Sequence, residues 1–322
     1  MQNESKNAKT LHLQRKKAYQ LVEDYHKKFI DQNTKNLKID LSENRDCPVC
    51  NSNDNLFIMK KGASSYYKCN ECTMVYLNPI LNEMATIEYY TNLNTGQGDT
   101  VSSESNFYTE IYSMGLNSIN KYAISKNTIL DIGCSTGYFL DICKNNNWQT
   151  AGIELGISEG DIAKNKGHKI YTDLITDLDP SLTFDAITMW DVLEHIPDGL
   201  SQLNEIYKHL NKGGILFFQI PNSDALAAKI LREKCRMFDG IEHTNLYNPK
   251  SIEKLVEFTN FEIKSINSVI SEIAVMNNFL DYTDPYFGES QFSNNKLLNI
   301  LDADTIHNNK IGYKLQVVLQ KL

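Results

Sequence analysis

No apolar run in this chain approaches the ~20 residues a bilayer-spanning helix needs, and the opening MQNESKNAKT has no hydrophobic stretch of the kind a secretory leader carries. A cytoplasmic protein with no membrane-embedded part is the expectation. Positive charge is also scarce: 32 Lys and Arg face 40 Asp and Glu, for a net charge of -8. That balance disfavours a broad nucleic-acid footprint. The local exception, residues 1–45, holds ten Lys/Arg against six Asp/Glu, and a solvated helical face accounts for it more simply than a polyanion site. Cysteines number only seven, and without an export signal they do not read as a disulfide framework.

What is present begins with size: 322 residues are enough for a substantial core and point to two domains rather than one. The stretch that organises the rest is Asn127 to Leu140, NTILDIGCSTGYFL. An apolar β-forming run passes through Asp131 into a small-residue turn and then a helical pattern, so it reads as strand, tight turn, helix. Gly133 and Gly137 permit backbone torsions closed to other residues, and the free N–H groups at the helix start face whatever lies above the strand. An ionised Asp131 only accepts hydrogen bonds, which suits an ammonium group. A dinucleotide is the obvious competitor, but Ser135 and Tyr138 occupy the second and third Gly positions of its G-x-G-x-x-G fingerprint.

Two knuckles, CPVC and CNEC, place Cys47, Cys50, Cys69 and Cys72 with eighteen residues between the pairs. Each can present two thiolates from a tight turn, together completing a tetrahedral four-cysteine site. Zinc is the expected occupant, structural rather than catalytic because no coordination position is left open. A ribbon of this kind can also grip nucleic acid, but Asn51 to Lys68 contains three Lys and no Arg. Cys134, Cys143 and Cys235 read as buried rather than nucleophilic.

Five segments follow. Residues 1–45 form a polar leader and a helix whose apolar face is Leu13, Ala18, Leu21, Val22, Tyr25 and Phe29; it packs on the body of the protein or on a second copy, as in a homodimer. Residues 46–80 are the ribbon. Residues 81–124 are a helical linker with a polar loop placed to close over a ligand. Residues 125–268 alternate strand and helix, as in a doubly wound, mostly parallel α/β sheet. Residues 269–322 are an insertion and a last strand, which would return beside strand five.

Within the alternating segment, Glu154 ends the second strand, where an acid can accept from both hydroxyls of a ribose. Asp173 ends the third. The fourth, in FDAITMWDVLEHIPD, brings Asp191, Glu194 and His195 out at the carboxyl edge, where an open α/β sheet binds its ligand. LSQLNEIYKHL reads as a helix stopped at Lys212-Gly213-Gly214.

ILDIGCSTG, GIEL, FDAITMWDVLEHIPD, LNKGGILFFQIPN and EHTNLYNPKSIEKLVEFTNFEI follow one another in an order and spacing that resemble the class I S-adenosylmethionine (SAM) dependent methyltransferases, over residues 125 to 268. With the ribbon in front, the chain is similar to a subset that includes nucleotide-sugar C-methyltransferases. The resemblance implies that Asp131, Gly133, Ser135, Gly137, Glu154 and Asp173 line SAM, with Asp191 at the same edge. It implies a small-molecule acceptor, with Glu242 and His243 of FDGIEHTNLY and His195 beside it; a Glu-His pair there can abstract a proton, and a His can donate to an oxygen gaining charge. Ser135 departs from the class I first motif, and the sequence departs from the C-methyltransferase subset in having Gly240 where a tyrosine is expected, two positions before the pair, and a shorter C-terminal region. A capping or core role for His243 is the plainer alternative. A transferase acting on RNA or protein, and a non-catalytic binding protein, are the rival functions.

Overall fold

The computed structural model describes residues 16–92, 105–281 and 301–322. Helix α1 (Lys16–His26) is followed by β1 (Ser42–Glu43) and by the three strands of the ribbon, β2 (Asn55–Lys61), β3 (Ser64–Cys69) and β4 (Val75–Asn78). β5 (Ile80–Leu81) pairs with β1, and α2 (Glu83–Asn92) and α3 (Ser105–Tyr122) lead into the alternating segment. There the order is β6 (Thr128–Ile132), α4 (Tyr138–Asn145), β7 (Gln149–Ile153), α5 (Ile157–Asn165), β8 (Lys169–Tyr171), β9 (Phe184–Trp190), α6 (Gly199–Lys208) and β10 (Leu210–Pro221). The chain then runs through α7 (Leu226–Leu231), β11 (Asn245–Leu246), α8 (Pro249–Val256), β12 (Phe261–Val269), α9 (Ile273–Asp281), α10 (Ala303–Asn308) and β13 (Lys314–Lys321).

Seven strands form the main sheet, in the order β12-β13-β10-β9-β6-β7-β8. The five from β10 to β8 are parallel, and β13 runs antiparallel between β10 and β12. Every residue of β9 is buried, as expected for a parallel strand covered on both faces. Alternation along β6 divides the core: Leu130 and Ile132 join the cluster on one side, and Ile129 the cluster containing Trp148, Trp190 and Phe217 on the other. The chain winds outward from β6 through β7 to β8, then returns to start β9 on the opposite side of β6. The carboxyl ends of β6 and β9 therefore flank the reversal in strand order, where such a sheet opens a binding crevice.

The ribbon is joined to this body. β11 leaves the main sheet's carboxyl edge and pairs with β4, so the ribbon sheet runs β11-β4-β3-β2. Arg45 fastens the junction: its guanidinium donates to the carbonyls of Leu77 (3.1 Å), Pro197 (3.1 Å) and Thr244 (2.5 Å) and to Asn245 Oδ1 (2.8 Å). The second knuckle is tied to the start of α8 by Thr73, whose Oγ1 donates to Asn248 Oδ1 at 3.1 Å.

Two local expectations differ. α6 ends at Lys208 and β10 begins at Leu210, with a register irregularity before Ile215; the Gly pair serves a bulge, with Gly213 at φ +74. Buried Leu210, opposite Phe184, draws the strand in early. On α1, Leu21 is 59% exposed, while Tyr25 and the following Phe29 pack on Tyr89. Leu13, most of the polar loop before α3 and the middle of the C-terminal insertion lie outside the described residues.

Candidate active site

The turn after β6 is built from backbone geometry. Gly133, Ser135 and Gly137 have φ of +73, +47 and +76, a region in which side chains cost energy. A Cβ on Gly133 would meet Val192 Cγ2 at 2.7 Å, so the glycine lets the β6 turn touch the segment leaving β9. Ser135 is held in this conformation as its N–H donates to Glu154 Oε2 at 2.8 Å. Ser135→Gly should therefore stabilise the fold by about 1 kcal/mol, measured as an upward shift in the urea midpoint.

Asp131 is 2% exposed. Burial pushes its carboxyl up to about 8, opposed by the hydrogen bond from Thr188 Oγ1 and assisted by the charge of Glu154; Thr188 donates at 2.6 Å. Glu154, directly after β7, accepts from Ser135 N and, at 2.7 Å, from Gly156 N. Burial also raises its carboxyl, against the pull of these N–H groups. Asp173 is exposed beyond β8. Asp191 follows β9 at φ +56, with Lys314 Nζ 2.9 Å from its Oδ1.

Glu242 and His243 lie on the loop between α7 and β11, and Asp239 shapes it. The Asp239 carboxylate accepts from the N–H groups of Ile241, Glu242 and His243 and stands 2.9 Å from His243 Nδ1. Burial opposes charge on His243, yet Asp239 outweighs it and raises the imidazole to about 10. The His195 ring centroid lies 4.9 Å from that of His243. Burial and the positive His243 push His195 down to about 4, leaving it neutral. Glu242 accepts a short hydrogen bond from the Tyr89 hydroxyl, which also lies 2.9 Å from His26 Nε2; the Tyr90 hydroxyl is 3.1 Å from His195 Nδ1. The two anchors of the resemblance, His195 and the Glu242-His243 pair, are thus brought together, under tyrosines from α2. The void left between Tyr89, Tyr90, His195 and Glu242 is only about 10 Å³. A larger cavity, 370 Å³, lies away from these groups against Asn36, Lys60 and Ser64.

The ribbon holds this loop directly. The Tyr66 hydroxyl on β3 accepts from Gly240 N and donates to His243 O, each at 3.2 Å. At the other end of the same unit, the four cysteine sulfurs converge within 4.8 Å of one another, three pairs being 3.4–3.5 Å apart. These spacings are far above a disulfide bond and near the about 3.8 Å between sulfurs around a tetrahedral zinc. The donor set and its shape fit that ion.

Sequence reasoning left several contributors unassigned. Asp239 was visible as the D-G before the Glu-His pair, a turn signal. Lys314 is brought to the site because β13 is antiparallel, so its first residue reaches the edge where parallel strands end. Tyr89 and Tyr90, in the Tyr-rich stretch MATIEYY, read from sequence either as ligand contacts or as core, and they reach Glu242 and His195; His26 and Arg45 carried no local signal. Glu194 is fully buried, with both carboxylate oxygens lacking a hydrogen-bond partner among the described residues.

Residues 107–266 match the family model described as "Methyltransferase domain". A ubiquinone biosynthesis O-methyltransferase of Vibrio cholerae is 25% identical over 156 residues, 44% of this chain and 63% of that protein. One from Hydrogenovibrio crunogenus is 30% identical over 108 residues, 31% and 45% of the two chains. The chain thus spans less than two thirds of these relatives' length. Among solved structures, the plantazolicin methyltransferase BpumL with S-adenosylhomocysteine (SAH) aligns at TM-score 0.49 and 14% identity, covering 73% of this chain and 94% of that one. In its residues 107–266 the chain belongs to the class I SAM-dependent methyltransferases.

Proposed function

We propose that this protein transfers the methyl group of SAM to a small acceptor, a nucleotide-linked sugar or another saccharide or natural-product intermediate. The observation that carries this reading is the convergence of His195, Glu242 and His243 next to the strand-order reversal. SAM would sit over the Gly133–Gly137 turn, with its ammonium toward Asp131 and its ribose hydroxyls on Glu154. Asp173 and Asp191 would border it, although exposed Asp173 has the least geometric support.

Methyl transfer needs an acceptor atom in line with the sulfonium. The C–S pair returns to sulfur as SAH forms, an acceptor lone pair or carbanion makes the new bond to methyl, and a protonated acceptor gives up its proton. Glu242 or neutral His195 would take that proton, and His243 beside Asp239 would donate to an oxygen gaining charge. The relatives named as O-methyltransferases favour an oxygen acceptor. Zinc at Cys47, Cys50, Cys69 and Cys72 would be structural. A nucleic-acid role for the ribbon has less support, because one ribbon edge is paired with β11. No helix among the described residues is long and apolar enough to cross a membrane.

Calorimetric titration with SAM tests the reading. Asp131→Ala and Glu154→Ala should each weaken binding at least tenfold with the fold intact; unchanged affinity in both would remove the assigned seat. The pH dependence has a definite sign. Unliganded Asp131 holds its proton up to about 8, so this group's contribution to free-protein stability declines as pH rises from the ordinary carboxylate range toward 8. The ammonium of SAM selects the ionised form. Binding should therefore release a proton and tighten with rising pH, by at most about tenfold per unit, levelling off above 8.

A further inference from the structure

We propose that Glu194, His195 and His243 form a binding site for a divalent first-row metal ion, separate from the cysteine site. Each residue offers one ligand atom, and the three atoms lie within 4.8 Å of one another. An ion held at the usual bond lengths needs donors roughly 3–3.5 Å apart, a closure of the order that side-chain torsions supply.

The hydrogen bonds also select the ligating atoms. His243 Nδ1 faces Met237 O at 2.8 Å and Asp239 Oδ2 at 2.9 Å, and His195 Nδ1 faces Glu242 O at 3.2 Å. Carbonyls and carboxylates only accept, so Nδ1 carries the hydrogen in His243 and Nε2 is the nitrogen left to bind an ion; in His195 the Nδ1 is engaged by Glu242 O and, at 3.1 Å, by the Tyr90 hydroxyl, so Nε2 is the ring nitrogen turned to other partners. Orientation of a ligating imidazole by a carboxylate or carbonyl is the usual outer support of a metal site. Glu194 adds an independent observation. It is 0% exposed, and neither oxygen has a hydrogen-bond partner among the described residues, an arrangement that costs free energy unless something pairs with it. Lys314 is near enough to act on Glu194 through its charge, but its Nζ hydrogen-bonds Asp191 at 2.9 Å and neither Glu194 oxygen.

Two imidazoles and one carboxylate suit Mn²⁺, Fe²⁺, Co²⁺, Ni²⁺ or Zn²⁺ better than Mg²⁺ or Ca²⁺, which favour oxygen ligands. Three protein ligands leave positions open. The use of the ion rests on the methyltransferase reading: it would receive a hydroxyl or carbonyl oxygen of the acceptor and stabilise its anionic form, replacing the His243 proton as the positive charge there. The acceptor class is then one that presents a metal-binding oxygen.

The test titrates the full chain, zinc-loaded at its cysteines, with Mn²⁺ while the spin-resonance signal of the free ion is followed. One Mn²⁺ site is expected. Glu194→Gln and His243→Asn should each weaken it at least tenfold, and Asp239→Asn, which keeps all three ligands, by roughly 10–100-fold. Circular dichroism and zinc content identify any variant that fails to fold. Absence of an Mn²⁺ site in the wild type, or a site indifferent to the folded variants, overturns the proposal. SAM titration of the same samples separates the two readings: SAM binding without Mn²⁺ binding removes only the metal.

Discussion

Cys69→Ser should release zinc and disable the acceptor side of the site while SAM affinity stays within a few-fold of wild type. Cys69 closes β3, the strand that carries Tyr66. β3 pairs with β4, and β4 pairs with β11, two residues after His243. Structural zinc in small units is bound with about 10–16 kcal/mol of apparent free energy, and that binding energy is folding energy. Losing one thiolate should therefore cost several kcal/mol, and the damage should pass through β4 and Arg45 into the Glu242-His243 loop. The Gly133–Gly137 turn sits on β6, whose partners are β7 and β9, so the cofactor seat should survive. Metal analysis, a thermal melt and a turnover assay read the three parts. Zinc loss with unchanged melting temperature and turnover would reject a structural role for the ribbon.

Gly240→Ala should be comparably damaging from a single methyl group. At φ +85 the residue lies where a side chain is strained, and an added Cβ would stand 2.1 Å from the backbone oxygen of Lys61. The obstacle is backbone in the β2–β3 hairpin, so no rotamer change relieves it. Strain and displacement together should cost roughly 3 kcal/mol, seen as a lower urea midpoint. Turnover should fall further than stability alone requires, because the ribbon and the loop must separate there. The β2–β3 hairpin thus occupies the space a side chain at this position would need, and Tyr66 approaches Gly240 N from β3.

The parts that were legible in advance are those whose physics is local. The glycine turn declares itself because Gly133 and Gly137 permit positive φ, which both adopt; the knuckles, because two close thiolates require a tight turn; and β9, because Ala186 to Trp190 reads as a buried strand, which the structure extends to Phe184–Trp190. Glu242 and His243 were legible through resemblance and His195 through its place at a strand end, but their supports were not. Arg45 finds acceptors at Thr244 and Asn245, about 200 positions away, and nothing near Arg45 in the chain signals this. Lys314 reaches Asp191 only because the last strand is antiparallel. Glu194 looked like one more polar residue at a strand end, since the absence of a partner is a property of packing. Asp173, placed at the ligand edge by pattern and resemblance, is exposed beyond β8, and no packing around it among the described residues adds to that reading.

A crystal structure of the protein soaked with SAH, the product of the proposed transfer, tests the account where it is most exposed. The nucleoside should lie across the bend that follows Asp131, its ribose oxygens on the Glu154 carboxylate and its sulfur directed toward His195 and His243. Density for the nucleoside anywhere else, or a bend that remains filled by the protein's own side chains at saturating SAH, would contradict it.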